Sequence, residues 1–251
     1  MADFGGRIPG TSQAFSRRGL HGQVVDGLGM RIVSGELAPG ATIDLEALED
    51  EFGVSRTVVR ETIKVLVAKG LVDARPKAGT FVLGRDRWNL LDADLMAWRI
   101  ALGLDVRLMR ELAEVRAMVE PAAARLAAGR ATGPEVDAIA AAFARMEAGA
   151  AGPVEHTTDA DIEFHSAILR AAGNELLAGF HVLLAPALRL RDILTLAGAE
   201  PHGYLAAHRA VLEAIQRGDA VRAEEAVARL LENAAEDTEA TLRAAEKATR
   251  R

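Results

Sequence analysis

Apolar residues at 24, 25, 28, 32 and 33 fall on one face of a 3.6-residue period. The spacing predicts a helix over 21–34, weakened by Gly27 and Gly29. Gly35, Pro39 and Gly40 then break the chain. In DLEALEDEF, Asp44 is the expected N-cap, Leu45, Leu48 and Phe52 share a face, and Gly53 ends the segment. Ser55 is placed to cap the next helix, which carries Val58, Val59, Thr62, Ile63, Leu66 and Val67 at helical spacing until Gly70. Beyond Gly70 the period shortens. LVDAR and TFVL read as two short strands around the glycine-containing turn PKAG. Two short helices joined by FGVS and followed by a hairpin predict a winged helix-turn-helix over 20–84.

From residue 85 the pattern is helical. RDRWNLLDADLMAWRIALG begins polar and turns apolar-periodic through Leu95, Met96 and Trp98, so 85–104 is read as a linker and connecting helix. Residues 105–131 predict a long helix capped by Asp105 and bent at Pro121. Further helices are expected over 133–150, 155–172, 174–197, 201–217 and 219–246, with breaks at Gly152-Pro153, Gly173-Asn174, Glu200-Pro201 and Gly218-Asp219. The expected fold is mainly α: an N-terminal winged helix-turn-helix plus a C-terminal all-helical bundle of about seven helices over 105–251. Residues 1–19 show no periodicity and are expected to form a flexible arm, with Arg17 and Arg18 solvated.

Charge sharpens this division. The chain carries 36 Asp and Glu against 30 Lys and Arg, yet residues 53–77 hold six cations and two anions. A basic helix in an acidic protein calls for a polyanion. Arg56, Arg60 and Lys64 recur every four residues on one face, Lys69 follows, and Ser55, Arg56 and Thr57 lie at the N-terminal end that meets a groove or phosphate. Arg75 and Lys77 on the wing reach neighbouring phosphates. The bland alternative is a solvated basic face; the turn and the wing argue against it.

There is no cysteine, which excludes disulfides, Cys-ligated zinc and a Cys nucleophile. The apolar run 176–188 is too short to span a membrane, and the first residues lack a signal-peptide core; a soluble cytoplasmic protein is expected. The main rival reading is a helical metal-binding enzyme. A di-iron bundle needs two Glu-x-x-His motifs; the chain has one Asp-x-x-x-His and neither a phosphate-binding loop nor a nucleophile elbow.

In the helical region Asp161 and His165 are four apart, on a face continued by Ile168 and Leu169. Polar groups on a core-facing stripe need partners, and a carboxylate with an imidazole can share a divalent metal. His208, ahead of Val211, Leu212 and Ile215, is a third candidate. Arg116 lies among Leu112, Val115 and Val119, so its guanidinium is expected to point inward and seek a carboxylate, either an effector's or that of Glu120. Arg189 is a weaker candidate, with Arg191 equally able to be the inward one. His156, His181 and His202 have no matching partner.

GVSRTVVRETIKVLVAKGLVDARPKAGTFV (53–82) resembles the winged helix of the GntR family of bacterial transcription regulators. The resemblance implies operator contacts by Arg56, Thr57 and Arg60, and close approach to DNA by the wing-tip Gly79. Glu46 stands where such regulators often carry a basic phosphate contact, so that contact is expected to be missing. EVRAMVEPAAARLAA (114–128), DADIEFHSAILRAAGNELL (159–177) and AHRAVLEAIQRGDAVRAEEA (207–226) resemble the ligand-binding domain of the FadR subfamily, and the linker resembles that of galactonate-operon repressors. The implied partners are double-stranded operator DNA, a small carboxylate effector such as a sugar acid, with galactonate favoured, and a second copy in a homodimer. The implied cofactor is a divalent metal such as zinc, held in that subfamily by one Asp and three His. Asp161, His165 and His208 match three ligands; Leu230 occupies the fourth position and cannot ligate, with Asn233 one turn on as a weak substitute. A three-ligand metal site and a metal-free polar site both remain open.

Overall fold

The computed structural model describes residues 19–75, 79–103, 106–150, 154–181, 185, 188 and 201–249, and the chain divides into two compact units, 1–104 and 105–251. The expected arm over 1–19 lies, but for Gly19, outside the described residues.

The first unit runs α1 (Leu20–Val33), β1 (Thr42–Ile43), α2 (Leu45–Phe52), α3 (Arg56–Ala68), β2 (Val72–Arg75), β3 (Gly79–Val82), a 3₁₀ turn (Arg85–Arg87) and α4 (Ala93–Ala101). Asp44 caps α2 by accepting from the Glu46 and Ala47 N–H groups, and Gly53 closes it in the left-handed conformation at φ 61°. Ser55 stands at the N-cap of α3 in extended conformation, but its side chain makes no capping bond. The wing is a three-stranded antiparallel sheet of order β1-β3-β2, not the expected two-stranded hairpin. Two-residue β1 pairs Thr42 with Phe81 and Ile43 with Thr80; so short a strand leaves no alternation to read in the sequence.

The core joins Val24, Leu28 and Ile32 of α1 to Val59, Ile63 and Leu66 of α3, with Leu48, Val72 and Val82 around them. Val67, expected on the inward face, is exposed. The segment read as linker is built into this core through Leu95 and Trp98 of α4. Trp98 explains a helix glycine: a Cβ at Gly29 would lie 2.5 Å from the indole ring. The indole N–H donates to Asp26 at 2.8 Å.

The second unit is helical throughout its described residues: α5 (Val106–Arg130), α6 (Gly133–Gly149), α7 (Val154–Ala171), α8 (Glu175–Gly179), α9 (Pro201–Gln216) and α10 (Ala220–Thr249). α5 continues through Pro121. The Glu135 carboxylate accepts from the Thr132 N–H and hydroxyl at the start of α6. Only Glu175–Gly179 of the helix expected over 174–197 is described as a continuous helix. α7 packs between α5 and α6, and α9 and α10 close the bundle against α5. Because α7 is central, Ala160, Phe164, Ala167, Ile168 and Leu169 are all buried, and Thr157, Thr158, Asp161, His165 and Ser166 are buried with them.

Candidate nucleic-acid interface and candidate metal centre

On α3, Val59, Ile63 and Leu66 face the core while Arg56, Thr57, Arg60 and Lys64 are exposed. Arg56 and Arg60 have no acidic partner among the described residues. Lys64 pairs with Glu61 at 2.7 Å, an exposed contact of little energetic weight. Ser55 and Glu46 are also exposed. On the wing, Arg75 is exposed, pairs with Asp73 at 2.8 Å and lies 5.5 Å over the Phe81 ring. Gly79 has φ 89° with open space where a Cβ would sit, so the backbone conformation, not crowding, calls for glycine. Lys77 lies outside the described residues.

Lys69 departs from the basic face. It is buried, 7% exposed, with its ammonium 2.8 Å from Asp92 and 2.6 Å from Asp94. Asp92 also caps α4. The cation at the C-cap of α3 therefore fastens that helix to α4.

In the second unit the side chains singled out from the sequence converge. Asp161 and His165 come from α7 and His208 from α9, and all three are at most 3% exposed. His208 Nε2 lies 2.8 Å and His165 Nε2 3.3 Å from Asp161 Oδ1. His208 Nδ1 lies 2.9 Å from the Tyr204 carbonyl, which accepts its proton and leaves Nε2 turned to Asp161. One donor atom from each residue falls within 4.8 Å of the others, a set that fits a divalent ion. Leu230, 5% exposed, packs in the same apolar cluster as Phe164. Asn233 is exposed and cannot substitute for a fourth ligand.

Arg116 of α5 is buried beside this cluster. Its Nε donates to Glu120 Oε1 at 2.5 Å, and its Nη2 lies 3.5 Å from His165 Nε2. Glu120, 2% exposed, also holds His165 Nδ1 at 2.6 Å. The sequence offered Glu120 only as an i+4 partner for Arg116; its second bond, to another helix, had no local signal. Burial works to raise the Glu120 carboxyl, but the Arg116 guanidinium and the His165 ring outweigh it and hold it well below the usual carboxylate range. Asp161 is likewise held low against burial, by His165 and then His208. Burial alone would lower His165; Glu120 and Asp161 overcome it and raise the ring to about 9. For His208 burial prevails, and its pKa is lowered. Arg189 and Arg191 lie outside the described residues. His156 is exposed, and His181 Nδ1 lies 2.6 Å from the Ala178 carbonyl.

An exposed basic helix on a winged helix-turn-helix, joined to a helical unit with a buried polar cluster, defines a DNA-binding transcription regulator. The chain belongs to the GntR family of bacterial regulatory proteins: the gntR family model matches residues 20–82 and the FCD domain model residues 111–233. It is 36% identical over 207 residues to the galactonate operon transcriptional repressor of Escherichia coli K12, covering 81% of this chain and 90% of that one. It is 36% identical over 151 residues to the HTH-type transcriptional regulator LutR of Bacillus subtilis, covering 58% of this chain and 65% of that one. The solved structure of Lar, which controls expression of the Listeria monocytogenes agr system, has a TM-score of 0.60 at 20% identity, over 88% of this chain and 97% of that one, and supports the fold. The families and relatives matched are regulators, not enzymes.

Proposed function

We propose that the protein is a homodimeric repressor, acting on DNA in the cytoplasm, whose release is triggered by a small carboxylate, with a sugar acid such as galactonate favoured. The DNA half of the reading rests on Arg56 and Arg60, exposed without acidic partners near the N-terminal end of α3. Two such helices related by a two-fold axis suit a pseudo-palindromic operator. Ser55, Thr57, Lys64, Arg75, Lys77 and Gly79 are proposed to add phosphate or backbone contacts.

The effector half is carried by one observation: Arg116 Nη2 lies 3.5 Å from His165 Nε2, at the edge of the Asp161, His165 and His208 cluster. Those three residues would hold a divalent ion such as zinc, which supplies an oxygen-binding position where its coordination is left open. Liganding histidines are neutral. The ion and Arg116 together then exceed Asp161 and Glu120 by one positive charge, which a carboxylate neutralises. A vicinal hydroxyl, as in a sugar acid, could occupy a second position. Galactonate is favoured by the likeness to the galactonate operon repressor. A second reading has its own support: the two carboxylates already pair with a charged His165 ring, Glu120 at 2.6 Å and Asp161 at 3.3 Å, a polar cluster that could bind effector hydroxyls without a metal.

The test is a fluorescence-anisotropy titration on labelled upstream DNA at fixed salt, with and without galactonate, repeated after chelation. Specific binding weakened by galactonate, with the effect lost on chelation, is expected. Binding that ignores galactonate discards that effector, and a galactonate effect that survives chelation favours the metal-free reading. Absence of specific binding to any upstream fragment sinks the recognition-helix assignment.

A further inference from the structure

We propose that Glu120 is a positioning residue: its carboxylate, held by Arg116, orients His165 so that Nε2 is presented to the metal. The proposal rests on the metal reading above. Both oxygens of the carboxylate are engaged, Oε1 by Arg116 Nε at 2.5 Å and Oε2 by His165 Nδ1 at 2.6 Å. With Nδ1–H directed at Glu120, the other ring nitrogen faces Asp161 Oδ1 at 3.3 Å, the oxygen that His208 Nε2 also approaches at 2.8 Å. Histidine ligands commonly donate their second N–H to a carboxylate or a carbonyl, which fixes the ring and raises its basicity.

The two imidazoles meet this requirement differently. His208 uses the carbonyl of Tyr204 on its own helix, one turn back, at 2.9 Å. His165 is on α7 and its orienting group is on α5, so the ring is set by the packing of two helices. The neighbours leave it little freedom: Phe164 lies edge-on to both imidazoles, with ring centroids 5.8 Å and 5.2 Å away. Glu120 in turn is fixed by Arg116, four residues earlier on α5 and itself 6% exposed. The arrangement is a chain from guanidinium to carboxylate to imidazole, ending on the side where the donor atoms gather. Asp161, His165 and His208 account for the ligand set; Glu120 accounts for which nitrogen His165 offers.

Zinc affinity of the full chain, measured by competition with a chromophoric chelator, tests this. Truncating Glu120 alone would strand Arg116 in the core, so the comparison is made in an Arg116→Met background. Relative to Arg116→Met, adding Glu120→Leu is expected to weaken zinc binding about 10–100-fold. Adding Glu120→Gln, whose amide oxygen can still accept from Nδ1–H, is expected to lose only part of this. In zinc-loaded Arg116→Met, the His165 Nδ1–H proton should give a downfield NMR resonance that the leucine variant lacks. A purely structural role would not move that proton. Thermal unfolding of the metal-free variants checks that each is folded. Zinc affinity in the leucine variant equal to that of Arg116→Met overturns the proposal; if only the glutamine variant folds, unchanged affinity in it does the same. Wild-type chain that takes up no more zinc than His165→Ala sinks the metal reading, and the proposal with it.

Discussion

At the residue scale, Arg60 and Arg116 are both arginines of a helix, and their surroundings separate them. Arg60 is exposed and, among the described residues, unpaired, so Arg60→Ala should cost only its DNA contact. A bidentate base contact is worth about 1–3 kcal/mol, so operator affinity should drop roughly 5- to 150-fold with the thermal midpoint unmoved. Unchanged affinity removes Arg60 from the interface. Arg116 is buried against Glu120, and breaking a buried pair from one side costs about 3–5 kcal/mol. Arg116→Ala should therefore lower the stability of the helical unit as well as blunt the effector response, seen as an earlier thermal transition. His165 carries a pH signature in chelated protein. Its folded pKa of about 9 lies above the ordinary histidine value of 6.5. The stabilisation is thus full below about pH 6.5 and is lost as pH rises through about 9. Resistance of the metal-free helical unit to urea should fall between pH 7 and 10; a flat profile would show that the ring is not charged when buried.

At the scale of elements, α4 matters most in the first unit. Residues 85–104 read as a linker and connecting helix, by their polar start and their place between two patterned regions. In the folded chain, Trp98 enters the notch at Gly29, and Asp92 and Asp94 hold Lys69 at the end of α3. Helix propensity alone would have Gly29→Ala stabilise α1 by about 1 kcal/mol. The ring 2.5 Å from the added Cβ reverses the sign, and overpacking should cost about 1–3 kcal/mol. A thermal midpoint raised by Gly29→Ala would show that Trp98 does not occupy the notch in solution. The helices themselves were legible because each carries its own start, face and stop: Asp44 and Gly53 bound α2, and Pro134 and Glu135 open α6. The strand at Thr42–Ile43 was not, since its only support is β3, far along the chain.

At the scale of the whole molecule, an acidic chain of net charge −6 is proposed to meet DNA through its basic segment at 53–77. Counterion release makes such binding steeply salt-dependent, with log K falling by about 0.9 per phosphate neutralised for each unit of log salt. Operator affinity should fall with a slope of several units, and Arg60→Ala should reduce that slope only if its contact is to phosphate rather than to a base. The proposed effector site lies within the helical unit, so the zinc and ligand binding proposed there should be the same in Arg60→Ala as in the unaltered chain; a difference would mean that the substitution disturbs the fold.

The sequence by itself determined what short-range spacing can encode. Helical period, caps and glycine stops marked the winged helix-turn-helix and the helical region. The four-residue interval placed Asp161 with His165 and Arg116 with Glu120, because i and i+4 share a face in any helix. Only the tertiary structure decided what crosses between helices. It put His208 of α9 against Asp161 of α7, joined Glu120 of α5 to His165, turned Asn233 outward, and buried Lys69 between two aspartates instead of leaving it on the basic face. Such contacts depend on how helix faces pack, and each residue's own neighbours in sequence carry no record of them.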